Sequence, residues 1–193
     1  MNTPAHLVVS LVLLGRRGAP EDVRRNNLCI AAGALICDAP MFGFYLWQRL
    51  VEGHGEASIW SDLYFRPEWQ NFFDLFNSVP LILLGLAVAA LLRRRAAMLF
   101  FTSMLLHVGF DLPFHVEDAH RHFYPLSEWR FESSLSYWDP AHFGAIVALA
   151  ELTLVWMSSA LLWRRSRNRW IRGSLLALSL LYGVGWGGFY VLR

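Results

Sequence analysis

One apolar stretch of this chain carries three lone-pair side chains at helical spacing. The segment 96–116 reads AAMLFFTSMLLHVGFDLPFHV, with His107, Asp111 and His115 at i, i+4 and i+8. Residues four apart share a helix face, so the pattern predicts a column of imidazole, carboxylate and imidazole. Pro113 predicts a kink that frees backbone carbonyls beside it. A charge at the bilayer centre costs about 3 kcal/mol even on the lenient insertion scale, so such a stripe needs partners or an ion. Imidazole with carboxylate is ligand chemistry for Zn²⁺ and related divalent ions. A catalytic zinc keeps an open water position and brings the pKa of that water to about 7.

Depth shows which other segments reach the column. Rising from the arginine-rich side at about 1.5 Å per residue, His107 lies about 16 Å up, Asp111 about 22 Å, Asp38 about 15 Å and His6 about 13 Å. Glu151, counted down from the opposite side, lies about 13 Å deep. The candidate ligands are therefore His6, Asp38, His107, Asp111 and His115, with zinc as the candidate ion. Asp111 and Glu151 are the candidate catalytic carboxyls, Glu151 as a general base or as support behind the ligands. The plainer reading of each is a helix–helix hydrogen bond, for Glu151 with Tyr182. Asp74 and Asn77 are expected near the outer rim. Glu117, Asp118, His120 and His122 read as a solvated outer patch, His54 as solvated and His142 as interfacial.

A frame of apolar helices must position these groups. The 193 residues are 55% hydrophobic and 17% charged, more apolar and less charged than a soluble domain. Apolar runs at 28–47, 72–92, 96–116, 142–163 and 173–192 predict five spans of about 20 residues each. The run at 5–14 is too short to cross and predicts a half-membrane or re-entrant helix. It has no basic residue before it and Arg16 and Arg17 after it, the reverse of a secretory signal, so it is expected to be retained. Backbone in hydrocarbon must bond within its own segment, and no ten-residue alternation suggests a barrel. The expected fold class is all-α: a polytopic transmembrane bundle of about five spans plus a short N-terminal half-helix, forming a single domain over residues 1–193.

Charge placement orients the bundle. All 17 basic residues are arginine. Arg16, Arg17, Arg24 and Arg25, then Arg93 to Arg95, then Arg164, Arg165, Arg167, Arg169 and Arg172 all fall on one side of five spans, which the positive-inside rule makes cytoplasmic. The opposite loops hold only Arg49, Arg66, Arg121 and Arg130, and carry rings such as Trp60, Trp69, Trp129 and Trp138 that suit the headgroup level. Membrane lipids are thus the expected surroundings, in the inner membrane. Basic residues confined to short loops argue against nucleic-acid binding. Cys29 and Cys37 on one helix are about 12 Å apart, too far for a disulfide. Asp139 before Pro140 predicts a helix cap ahead of the fourth span.

The motifs resemble a known family, the inner-membrane metal-dependent hydrolases described as LexA-binding in one enterobacterial member. TPAHL places His6 like the His of that family's short N-terminal helix, and ICDAP places Asp38 like the Asp of its early Pro-Asp-x-Asp-His motif. HVGFD matches its His-x-x-x-Asp motif through His107 and Asp111, and YPLSEWRF its Pro-(Phe/Leu)-Ser stretch through Pro125, Leu126 and Ser127. Pro40, Met41 and Asn77 stand where further motif residues of the family fall. The resemblance implies a divalent metal and hydrolytic activity. The expected function is hydrolysis of a lipid-like ester or phosphoester within the membrane. Ionisable groups at several depths equally suit a transporter or a proton or cation relay, and a structural membrane protein glued by polar contacts is the third reading.

Overall fold

The structure, a computed structural model, describes residues 1–15 and 20–190. Every regular element among them is helical: α1 Thr3–Leu14, α2 Pro20–Ile36, α3 Ala39–Leu46 with a π-turn to Val51, α4 Glu56–Ser61, α5 Pro67–Phe76, α6 Val79–Leu91, α7 Arg95–Asp111, α8 Gly144–Arg165 and α9 Arg169–Tyr190. Arg16 and Arg17, and the end of the fifth expected span beyond residue 190, lie outside the described residues.

Three stretches among the described residues are long and apolar enough to cross a membrane: Pro67–Leu91, Arg95–Phe114 and Gly144–Arg165. Counting the bent pair Glu21–Ile36 and Ala39–Val51 as one broken span makes four. The expectation was five. The helix α9 has the length, but Gly183, Gly185, Gly187 and Gly188 in its second half dilute its apolar character. The first expected span is also not one straight helix. Pro40 has no N–H to continue the ladder, so α2 ends at Ile36 and α3 departs at 57°, leaving Asp38 at the break. The second span starts at Pro67 and is interrupted at Asn77 and Ser78, where the Ser78 hydroxyl caps α6 by accepting from Leu81 N–H.

The bundle is built around α1. This helix packs on α2, α7 and α8, and its Ala5, Val8 and Val9 join Val155 and Leu175 in one apolar core. Close packing of α2 on α7 requires a glycine: a Cβ on Gly33 would lie 2.2 Å from the Phe100 carbonyl oxygen. With backbones that near, the Ser103 hydroxyl donates to Ile30 O at 2.7 Å and His107 Nδ1 donates to Ala34 O at 2.8 Å. Small residues at a helix crossing that allow interhelical hydrogen bonds are how helices associate without a hydrophobic driving force. Cys29 and Cys37 are both free.

Two expectations need correction here. His115 does not continue the stripe of His107 and Asp111. The helix ends at Asp111, Pro113 sits in a 3₁₀ turn at Leu112–Phe114, and His115 is extended with φ −116°. Asp139 caps as expected, accepting from Ala141 N–H at 2.9 Å, but it caps a 3₁₀ turn at Pro140–His142, and α8 begins two residues later, after the left-handed Phe143.

Candidate metal centre

Asp111 occupies the last position of α7, where the side chain points into the centre of the bundle, and it is 4% exposed. From α1, His6 Nε2 donates to Asp111 Oδ1 at 2.9 Å. From one turn back on α7, His107 Nε2 lies 3.0 Å from Asp111 Oδ2. From the helix break, Asp38 Oδ1 lies 3.3 Å from the same His107 nitrogen. The amine of Met1 also lies against Asp111. The two imidazoles stack, with centroids 3.7 Å apart and planes 17° from parallel. Helix periodicity therefore supplies His107 and Asp111, the proline break supplies Asp38, and the short first helix supplies His6.

The hydrogen bonds decide which atoms are spoken for. A carbonyl only accepts, so His107 Nδ1 carries a hydrogen for Ala34 O, and Nε2 is the nitrogen turned toward the carboxylates of Asp38 and Asp111. That Nε2 is buried and has no hydrogen-bond partner in line, despite the carboxylates at close range. His6 Nδ1 is likewise buried and unpartnered. Asp38 is steadied from α1 by the Thr3 hydroxyl at 2.5 Å. A backbone carbonyl behind an imidazole and a hydroxyl behind a carboxylate are the supports that ordinarily hold metal ligands in orientation.

His6, His107 and Asp111 each offer a ligand atom, all within 4.8 Å of one another, and form the one such group among the described residues. Asp38 stands against it as a fourth donor, through oxygen. Two imidazoles and two carboxylates suit zinc and similar divalent ions. The donor set fits a metal on the structure's own observations: the buried His107 Nε2, without a hydrogen-bond partner, faces two carboxylates, and His6 Nε2 stands on one of them. No family model, curated protein or solved structure matches the chain.

The other expected site residues lie around this core. His115 Nε2 is 3.8 Å from Asp111 Oδ1 and its Nδ1 is 3.0 Å from Asp118 Oδ2, one step outward from the cluster. Burial alone would raise the Asp118 carboxyl, but His115 outweighs it and holds the group below its ordinary range. Glu151 is 4% exposed on α8 and is separated from the cluster by Asn2, whose backbone N–H and side-chain amide both donate to Glu151 Oε1, at 3.0 and 2.9 Å.

The outer patch is solvated at Glu117, which is exposed, but Asp118 and His120 are half-buried and His122 is buried. Asp74 is fully buried and accepts from His120 Nδ1 at 3.0 Å, Arg121 N–H at 3.2 Å and Arg121 Nε at 2.5 Å. Arg121 also donates to Asn71 Oδ1 at 2.6 Å and to Glu128, and lies over the Tyr124 ring at 4.7 Å. His122 is 4% exposed, and burial, reinforced by His120, pushes its pKa down to about 4. The loop returns to the break in the second span, where Val79 N–H donates to His122 O at 2.8 Å. The signal for this was in the sequence: Gln70, Asp74 and Asn77 fall on one face of α5 at i, i+4 and i+7, as partners for a loop rather than a rim.

Proposed function

We propose that this chain is a membrane-embedded, metal-dependent hydrolase acting on a lipid-like ester or phosphoester. It sits in the inner membrane with its arginine-rich turns in the cytoplasm. In this reading α9 is a further span and α2 with α3 a broken one, giving five crossings. The observation that carries the proposal is the convergence of His6, Asp38, His107 and Asp111, with imidazole nitrogens left unpartnered in an apolar bundle. The partial motif match to the inner-membrane hydrolases points the same way.

His6, His107 and Asp111 would hold the ion, with Asp38 as fourth donor and His115 next to Asp111. A divalent ion supplies a Lewis acid and an activated water at neutral pH. The chain's own residues do the rest. Ala34 O and Thr3 hold His107 and Asp38 in orientation. Asp111, shared by His6 and His107, fixes the two rings relative to each other. The surrounding core of Ala5, Val8, Val9 and Val155 excludes bulk water, which strengthens every electrostatic interaction in the site.

The test is metal analysis of protein purified without chelator, beside His107→Ala and Asp111→Ala from the same preparation. Stoichiometric divalent metal in the wild type and its loss in both variants is the expected result, together with chelator-sensitive cleavage of a fluorogenic lipid ester or phosphodiester. A wild type without stoichiometric metal overturns the reading. One observation favours a second reading, a proton or cation relay: His115 bridges from Asp111 to Asp118 along the outward direction. Ion flux in proteoliposomes that vanishes in His107→Ala, with no hydrolysis, would select it.

A further inference from the structure

Beside the cluster lies a cavity of about 360 Å³ between α8, α9, the N-terminal segment and the loop before α8. Its walls are aromatic, from Trp138, Trp186 and Tyr190, and its floor is Glu151 with Asn2 and Tyr182. The walls are tied in place: Trp186 Nε1 donates to Ala145 O at 3.2 Å and the Tyr190 hydroxyl to Trp138 O at 3.0 Å. This is a preformed recess of ordinary ligand-pocket size, apolar with a few convergent polar groups.

Glu151 is the atypical feature. Asn2 saturates Oε1 with two N–H donors, and the Tyr182 hydroxyl reaches the same buried carboxyl group. These donors are neutral. Among the described residues no cationic side chain lines this cavity. A buried carboxylate without a counter-charge costs free energy unless a ligand supplies one. The group that completes an acceptor-only oxygen within aromatic walls is a cationic N–H donor: it bonds the carboxylate with charge assistance and is attracted by the ring faces.

We propose that this cavity is a binding site for the amino group of a long-chain amphiphile, with the ammonium on Glu151 Oε2 and the chain running out between α8 and α9. Binding here stands on its own. Only the idea that the bound amphiphile is the compound hydrolysed rests on the hydrolase reading, since Asn2 connects the cavity floor to the segment holding His6. Glu151 thereby becomes a ligand-binding residue rather than a base for the cluster.

The experiment is titration of detergent-solubilised, full-length protein with dodecylamine, dodecanol, dodecanoic acid and lysophosphatidylethanolamine, read by tryptophan fluorescence. The wild type should bind dodecylamine saturably and at least about tenfold more tightly than dodecanol, the worth of one charged hydrogen bond, and dodecanoic acid more weakly still. Glu151→Gln should erase that preference, whereas His107→Ala should keep it. Tighter binding of lysophosphatidylethanolamine than of dodecylamine would identify a lipid headgroup as the source of the amine; the reverse order would identify a free long-chain amine. Gly185→Leu is the second variant: a Cβ there meets nothing within 4 Å, so the leucine enters open space and should block binding while leaving Glu151 intact. Equal binding of amine and alcohol by the wild type, or an unchanged amine preference in Glu151→Gln, overturns the proposal. Amine binding that persists without any hydrolysis sustains this site and removes the hydrolase reading instead.

Discussion

The molecule holds two buried clusters of the same side-chain types, and they differ in how completely they are satisfied. Around Asp74 every strong donor has its acceptor: His120, Arg121, Asn71, Glu128 and the backbone close a network that clamps the outer loop onto the second span. Around Asp111 the donors and acceptors crowd together yet leave His6 Nδ1 and His107 Nε2 without partners. A satisfied network rigidifies a fold, whereas a half-satisfied one costs free energy unless something else completes it. The type of residue does not separate a clamp from a centre. The remaining valence does.

The largest effect that would break this comparison lies in the outer cluster. Asp74→Leu removes the carboxylate that Arg121 and His120 share and leaves a buried cation, a loss of about 3–5 kcal/mol. A large fall in the unfolding midpoint with metal content unchanged is the expected result. Metal loss in this variant would mean that the two clusters are one unit.

Next in size is a pH effect. His122 has a pKa of about 4 in the folded protein, against about 6.5 when exposed. The unfolded chain binds the extra proton first, so this contribution to stability is complete above pH 6.5 and fades as pH falls toward 4, by up to about 3 kcal/mol. His122→Phe should flatten that part of the stability–pH curve. An unaltered curve would show that His122 is not buried as described.

Gly33→Ala probes the backbone approach that delivers His107. The added Cβ meets the Phe100 carbonyl, so α2 must move off α7 at about 1–3 kcal/mol, and metal affinity should fall with it because the Ala34 hydrogen bond loosens. The smallest effect is the sharpest discriminator. His107→Asn, whose amide N–H can still serve Ala34 O, should leave the unfolding midpoint of metal-free protein nearly unchanged, within about 1 kcal/mol, because the hydrogen bond to α2 is kept and a nitrogen without a partner is lost. Loading with Zn²⁺ should then stabilise the wild type but not the variant. A destabilised metal-free variant would make the Asp111 cluster a clamp like the other.

The sequence revealed the helices and much of the centre, for physical reasons that also explain its failures. Period and depth are properties of single helices, so His107 with Asp111 could be read from their spacing, and His6 and Asp38 from counting along their own segments. What could not be read was any feature set by two segments at once. The bend at Asp38, the Ala34 contact and the Asn2 link to Glu151 depend on how helices cross. His115 was misplaced because Pro113 ended the helix rather than bending it. The burial of His120 and His122 in the outer patch was missed because Asp74 and Arg121 are distant in sequence, although the polar face of α5 already signalled a buried partner.

One helix carries a consequence for how the protein is made. The first helix has 12 residues, about 18 Å of rise, and it packs on α2, α7 and α8. Two of those partners, α7 and α8, come late in the chain and are synthesised long after it. His6 therefore reaches Asp111 only once α7 has been made and folded against it, and the donor set is completed late in folding. A chain truncated before α8 would lose Val155 from the core that seats the first helix, and with it part of the hold on His6.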